Sequence, residues 1–152
     1  MKIKVFADTI CGWCYIGHSR LTKALSSFKN ISFDLEHGPF QLNPNMPKKG
    51  IGRLDYLKYK FGSREAAQPL YSSMTSEALK EGLRFNLNNI QVTPNTSLSH
   101  ILTKLAFSKK IGHQVLSKIY NAYFLNGANI GDADILIEIG KSQDINEKEI
   151  TD

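Results

Sequence analysis

Cys11 and Cys14 flank Gly12-Trp13 and are the only cysteines in the 152-residue chain. Two sulfurs at that spacing can close a small disulfide ring with little backbone movement. If a helix begins at the first of them, its sulfur meets unpaired backbone N–H groups and the positive end of the helix dipole. Both favour thiolate over thiol, and the thiolate is the nucleophile. The pattern therefore predicts thiol–disulfide exchange. Cys11 attacks a substrate disulfide, and Cys14, one turn deeper, resolves the mixed disulfide. Two other uses of the pair stay open. A zinc site would need four ligands, with only His18, His37, His100 and His113 to complete it, and His18 follows Cys14 on one helix face. An inert buried pair is the other use. With no second CxxC and no spaced histidine pair, no metal and no cofactor are expected.

The neighbours of the pair each carry two readings. Trp13 is an apolar platform for a client peptide or a packing residue. Asp8 moves protons at the resolving thiol or forms a local turn or cap. His18 stabilises the Cys11 thiolate or faces solvent. His100 lies on the polar flank of its helix, structural or exposed. Tyr120, Tyr123 and Phe124 read as helix core.

Positioning the cysteines requires a strand before them and a helix after them. Residues 2–8 read as a short strand, and Leu21, Leu25 and Phe28 mark a helix from about Cys11 to Lys29. Ile31 to His37 alternates apolar and polar residues, the period of a half-buried strand. Three prolines between Pro39 and Pro47 rule out a long helix or central strand there. Beyond them the pattern is helical. Leu54, Leu57 and Phe61 form one helix, ended by Gly62. Ser63 caps the next, which runs to about Gly82 with Leu70, Met74 and Leu79 inward and with Pro69 kinking or delaying it. Leu83, Phe85 and Leu87 form a loop or extended piece. Asn95 or Thr96 caps a helix with Leu98, Ile101, Leu102 and Leu105 on one face. Val115, Ile119 and Tyr123 mark another, Asp132 caps a further one, and a last helix starts near Asn146.

A hydrophobic content of 41% suits a real interior, and 22% charged residues give no case for disorder. The net charge of +5 is spread out, with no stripe of Lys or Arg interleaved with aromatics, so nucleic acid is not an expected partner. No segment is apolar for long enough to span a bilayer, and no membrane partner is expected. The first residues lack a secretory leader, which predicts a cytoplasmic protein if this is the native start.

The segment Asp8-Thr-Ile-Cys-Gly-Trp-Cys-Tyr-Ile-Gly17 resembles the active-site segment of the FrnE-like branch of the DsbA family. The likeness continues in Pro39-Phe40-Gln41-Leu42-Asn43-Pro44, Phe61-Gly62-Ser63, Glu81 to Phe85, Pro94 to His100, and Tyr123 to Asp132. It implies an α/β, helix-dominated chain: a thioredoxin-like β-α-β start interrupted by a large all-helical insertion. The expected division is residues 1–45 as the first part of the thioredoxin-like domain, 46–130 as the insertion, and 131–152 as a returning helix. The resemblance also implies Cys11 as nucleophile and Cys14 as resolving thiol, acting on protein thiol and disulfide clients. Phe40, Asn43, Pro44, Asn95 and His100 become candidate walls of a cleft.

Two departures from the family follow. Its proline between the cysteines is Gly12 here, which predicts an altered redox poise. None of the five prolines follows the insertion, so the family's cis-proline loop and C-terminal strands have no counterpart. The chain reads as C-terminally truncated relative to the family, or as completed by a partner. A two-stranded sheet with an open edge predicts self-association. Two alternatives stand beside the protein oxidoreductase or isomerase. One is a glutathione-linked isomerase or transferase of the kappa and hydroxychromene-carboxylate isomerase type, whose members place Ser where Cys11 stands. The other is a non-catalytic remnant.

Overall fold

A computed structural model describes residues 1–151. Strand β1 (Lys2–Ala7) leads through residues 8–11 into helix α1 (Gly12–Ser27), and the chain returns as β2 (Asp34–Pro39), parallel to β1. The register pairs Lys2 with Asp34 and Ala7 with Pro39. Parallel strands need a crossover of at least a helix's length, and α1 provides it. The second strand lies about three residues later than the alternation of residues 31–37 suggests, because Asp34 N–H donates to the Met1 carbonyl and fixes the register there.

A loop runs to a two-residue strand, β3 (Ile51–Gly52), followed by α2 (Arg53–Phe61) and α3 (Arg64–Lys80). Gly62 takes φ +84° between the two helices, a conformation glycine adopts without a Cβ penalty. The Ser63 hydroxyl then accepts the Ala66 N–H at 3.0 Å and starts α3. Pro69 sits inside α3 without ending it. A proline early in a helix forgoes one backbone bond, and packing of Ala67, Met74 and Ala78 supports the rest. Leu70 and Leu79 do not face inward as the periodicity suggests; both are exposed. The inward face of α3 carries Ala67, Met74 and Ala78, and Met74 and Ala78 pack with Ile16 of α1.

Residues 87–89 form a single short turn, and β4 (Val92–Thr93) pairs antiparallel with β3. Helices α4 (Ser97–Ser108), α5 (Gly112–Phe124), α6 (Ala133–Lys141) and α7 (Glu147–Thr151) complete the described chain. The core is centred on α5, where Val115, Ile119, Tyr120, Tyr123 and Phe124 are buried, against Leu102, Ala106, Ile130 and Leu136. Tyr15 joins α1 to this core: its ring stacks on Tyr120 at 4.6 Å, and its hydroxyl donates to Asn121 at 2.9 Å. Arg20 and Lys23 pair with Glu77 and Glu81, tying the other side of α1 to α3. Helix α1 is thus clamped from both sides, and its N-terminus is where the cysteines lie. No helix is long and apolar enough to cross a membrane among the described residues.

Candidate active site

Cys11 is the N-cap of α1. Its backbone is extended there, and its own N–H donates to the Asp8 carbonyl at 3.2 Å. The sulfur accepts the Cys14 backbone N–H at 3.2 Å, so a thiolate fills the position that a Ser or Asp oxygen usually takes. Both cysteines are free and half-buried. The Cys11 thiol is lowered from 9.0 to about 7, first because it accepts a hydrogen bond from the Cys14 side chain. Burial opposes this, the Cys14 and Trp13 N–H groups favour it, and the negative Asp8 opposes it. Cys14 is pushed up, first as donor to Cys11 and then by burial. One sulfur is therefore poised as nucleophile and the other holds its proton, an asymmetry suited to attack followed by resolution.

Gly12 is buried, and a Cβ there would meet the Met74 sulfur, with the Phe85 ring 3.1 Å away. The glycine lets α3 and residue 85 press against the start of α1. Trp13 is 42% exposed beside Cys11, so its indole offers apolar surface next to the nucleophile.

Asp8 lies beneath the pair, 1% exposed. One carboxylate oxygen accepts the Leu42 N–H at 2.7 Å, and the other lies 3.3 Å from His100 Nε2. That contact is close enough for charge to act but is too poorly aligned for a hydrogen bond. His100 is not on the solvent side of its helix; it is 7% exposed. Helix α4 turns Ser99, His100 and Thr103 inward and leaves Leu98 and Ile101 in solvent. The reason is polar: the Ser99 and Thr9 hydroxyls bond at 2.7 Å, and Thr103 donates to the Ser99 carbonyl. These bonds satisfy the buried hydroxyls of Thr9, Ser99 and Thr103.

The remaining candidates frame this floor. Gln41 donates to Thr96 and Ser97, and Asn95 donates to the Met46 carbonyl at 2.7 Å, so the 40–46 link and the 95–100 segment lie against each other. Asn43 donates to the Tyr56 hydroxyl, while Phe40 and Pro44 are exposed. His18 is half-buried rather than open to solvent and stacks on His113 at 5.2 Å, with Ser117 within 3.4 Å. Among the described residues no three His, Cys, Asp or Glu side chains converge as a metal ligand set, so Cys11, Cys14 and His18 do not form one.

Sequence reasoning missed three features. The Tyr120 hydroxyl donates to the Asp8 carbonyl at 3.4 Å. All four histidines fall into one row: His100–His37 at 6.2 Å, His37–Phe107 and Phe107–His113 at 5.6 Å, then His113–His18. Burial first, and then neighbouring histidines, lower His18 and His37 to about 4, and burial also lowers His113. A cavity of about 230 Å³ opens between Cys14, His18, His37 and Phe107. A larger one, about 660 Å³, is lined by Arg53, Arg64, Tyr71 and Phe85 and does not reach either cysteine. Only the local motif had a sequence signal; the histidine row joins residues from four elements.

A sequence model of the DSBA-like thioredoxin domain matches residues 2–152. The chain is 27% identical over 141 residues to an uncharacterised protein, YwbO, of Bacillus subtilis (strain 168), covering 93% of this chain and 65% of that protein. A probable DsbA oxidoreductase from Streptomyces coelicolor superposes with a TM-score of 0.87 at 26% identity, over 99% of this chain and 66% of that one. The cytosolic disulfide reductase DsbM of Pseudomonas aeruginosa, solved with GSH, superposes with a TM-score of 0.63 at 19% identity, over 99% and 69%. The chain thus spans about two thirds of the length of these relatives.

Proposed function

The chain belongs to the DSBA-like thioredoxin domain family, and on that premise we propose that it exchanges thiols and disulfides with protein clients through Cys11 and Cys14. The Cys11 thiolate attacks one sulfur of a client disulfide. A Cys11–client bond forms, and the other client sulfur leaves and takes up a proton. Cys14 then gives up its proton and attacks Cys11, releasing the second client thiol. Two electrons pass to the client, and the chain is left with a Cys11–Cys14 disulfide. The reverse sequence oxidises a client dithiol.

The observation that carries this reading is the capping sulfur of Cys11, held by the Cys14 N–H at 3.2 Å, with hydrogen bonds that lower its thiol to about 7. Asp8 beneath the pair is proposed as the group that takes and returns the Cys14 proton, with Trp13 as the client platform. His18, set in the histidine row behind Cys14, is proposed to keep that side of the site neutral. The Phe40–Pro44 link and Asn95 are proposed as the walls along which a client lies; His100, buried against Asp8, is not one of them. The proposed compartment is the cytoplasm, and branch membership is proposed as FrnE-like, on the motif alone.

Cys14→Ser should trap a mixed disulfide through Cys11, and Cys11→Ser should abolish exchange. If Cys11 is alkylated at about pH 6 no faster than an ordinary peptide thiol, the activated-thiolate reading fails. Glutathione is a second proposed partner, supported by the GSH carried in the Pseudomonas structure. Glutathione-linked turnover that survives Cys14→Ala would favour that chemistry. An insulin-reduction assay against Cys11→Ser would separate both from an inactive domain.

A further inference from the structure

His100 is buried, and neither of its ring nitrogens has a hydrogen-bond partner. A buried, unpaired imidazole costs stability unless its position does something else. What it faces is the free carboxylate oxygen of Asp8, 3.3 Å away. Asp8 in turn carries Cys11 on its backbone carbonyl, and its negative charge disfavours the thiolate at both cysteines. The carboxylate cannot turn away, because the Leu42 N–H holds its other oxygen at 2.7 Å. The remaining titratable groups around the pair are Cys11 and Cys14 of α1, His37 of β2 and Tyr120 of α5.

We infer that His100 is a positioning residue for the dithiol: its ring, held beside Asp8, sets how much of that negative charge reaches Cys11. An Nε2–H or an imidazolium placed against the free oxygen offsets the carboxylate. The offset lowers the repulsion felt by a developing thiolate on the other side. Without the ring the full charge of Asp8 bears on Cys11. The inference deepens the thiol-exchange reading and rests on it, but its readout is the titration of Cys11 and not turnover.

The test is a double-mutant cycle on the rate of Cys11 alkylation as a function of pH. His100→Gln should slow alkylation at about pH 6.5 by roughly threefold and move the midpoint up, as a half-unit shift in a thiol requires. Asp8→Asn should speed it and move the midpoint down. In the Asp8→Asn background, His100→Gln should have no further effect. Equal slowing in both backgrounds would overturn the inference, as would a folded His100→Gln protein with an unchanged midpoint. A second measurement needs no substitution. The His100 ring, followed by NMR, should titrate at a different pH in the dithiol and disulfide forms, since the coupling is reciprocal. Identical titration in the two forms would overturn it even if His100→Gln fails to fold. The thiol-exchange reading fails separately, when the unmodified Cys11 shows no enhanced reactivity.

Discussion

Gly12 shows how one residue can be fixed by its neighbours rather than by its own conformation. Its Cβ position is occupied by the end of Met74 and approached by Phe85. A proline at this position, as in the family motif that this segment resembles, would place ring atoms against Met74. Gly12→Pro should therefore destabilise the protein by about 1–3 kcal/mol, the usual cost of overpacking. Met74→Ala should recover much of that loss in the Gly12→Pro background, because it vacates the occupied space. Urea denaturation of the four proteins checks this, and equal loss in both backgrounds contradicts it. The cysteines were legible from spacing alone, and the N-cap role of Cys11 follows from the strand–helix junction. Asp8 was recognisable only as a neighbour. Its burial against His100 brings together residues 92 positions apart, and nothing local in the sequence announces such a pair.

At the scale of elements, the histidine row ties α1, β2, α4 and α5 together around Phe107. The burial that lowers His18 and His37 to about 4 makes the fold sensitive to acid. The unfolded chain binds protons at these rings near the ordinary 6.5, and the folded chain binds them only near 4. Between those values the unfolded state holds more protons, so stability rises with pH. Their contribution is complete above pH 6.5 and is lost as pH falls toward about 4. Thermal melting should therefore drop through this window by on the order of 5 °C or more. His37→Leu should flatten the drop, and an unchanged slope would contradict it. Element positions were largely legible: caps at Ser63 and Asp132, the stop at Gly62 and the apolar face of α5 all have local causes. The inward faces of α3 and α4 were not. Apolar periodicity is only half right on each: Met74 of α3 and Leu102 of α4 are buried as expected, while Leu70, Leu79, Leu98 and Ile101 are exposed and alanine, serine, threonine and histidine side chains turn inward in their place. Packing distance on α3 and side-chain hydrogen bonds on α4 decided those faces.

At the scale of the whole molecule, the sheet under α1 has only two strands among the described residues. Phe6 and Phe40 are exposed at its C-terminal end, beside Leu42. Unpaired strand edges next to apolar side chains favour pairing with another chain. We predict that this chain self-associates through β1 or β2. Melting temperature should rise with protein concentration, and sedimentation should show species above the monomer. A concentration-independent transition of a monomer would contradict the prediction. Placing a lysine at the edge, as in Phe6→Lys, should weaken the association while leaving Cys11 alkylation intact.

Trp13 is the only indole in the chain, and it stands between the only two cysteines. Its partial exposure leaves it free to report on them. Closing the Cys11–Cys14 bond places a quencher directly beside the fluorophore. The protein thus carries an internal optical gauge of its own oxidation state: emission should change between oxidised and reduced forms, and Cys11→Ser should abolish the change. Every electron transfer proposed above could then be timed in the unlabelled protein, by light alone.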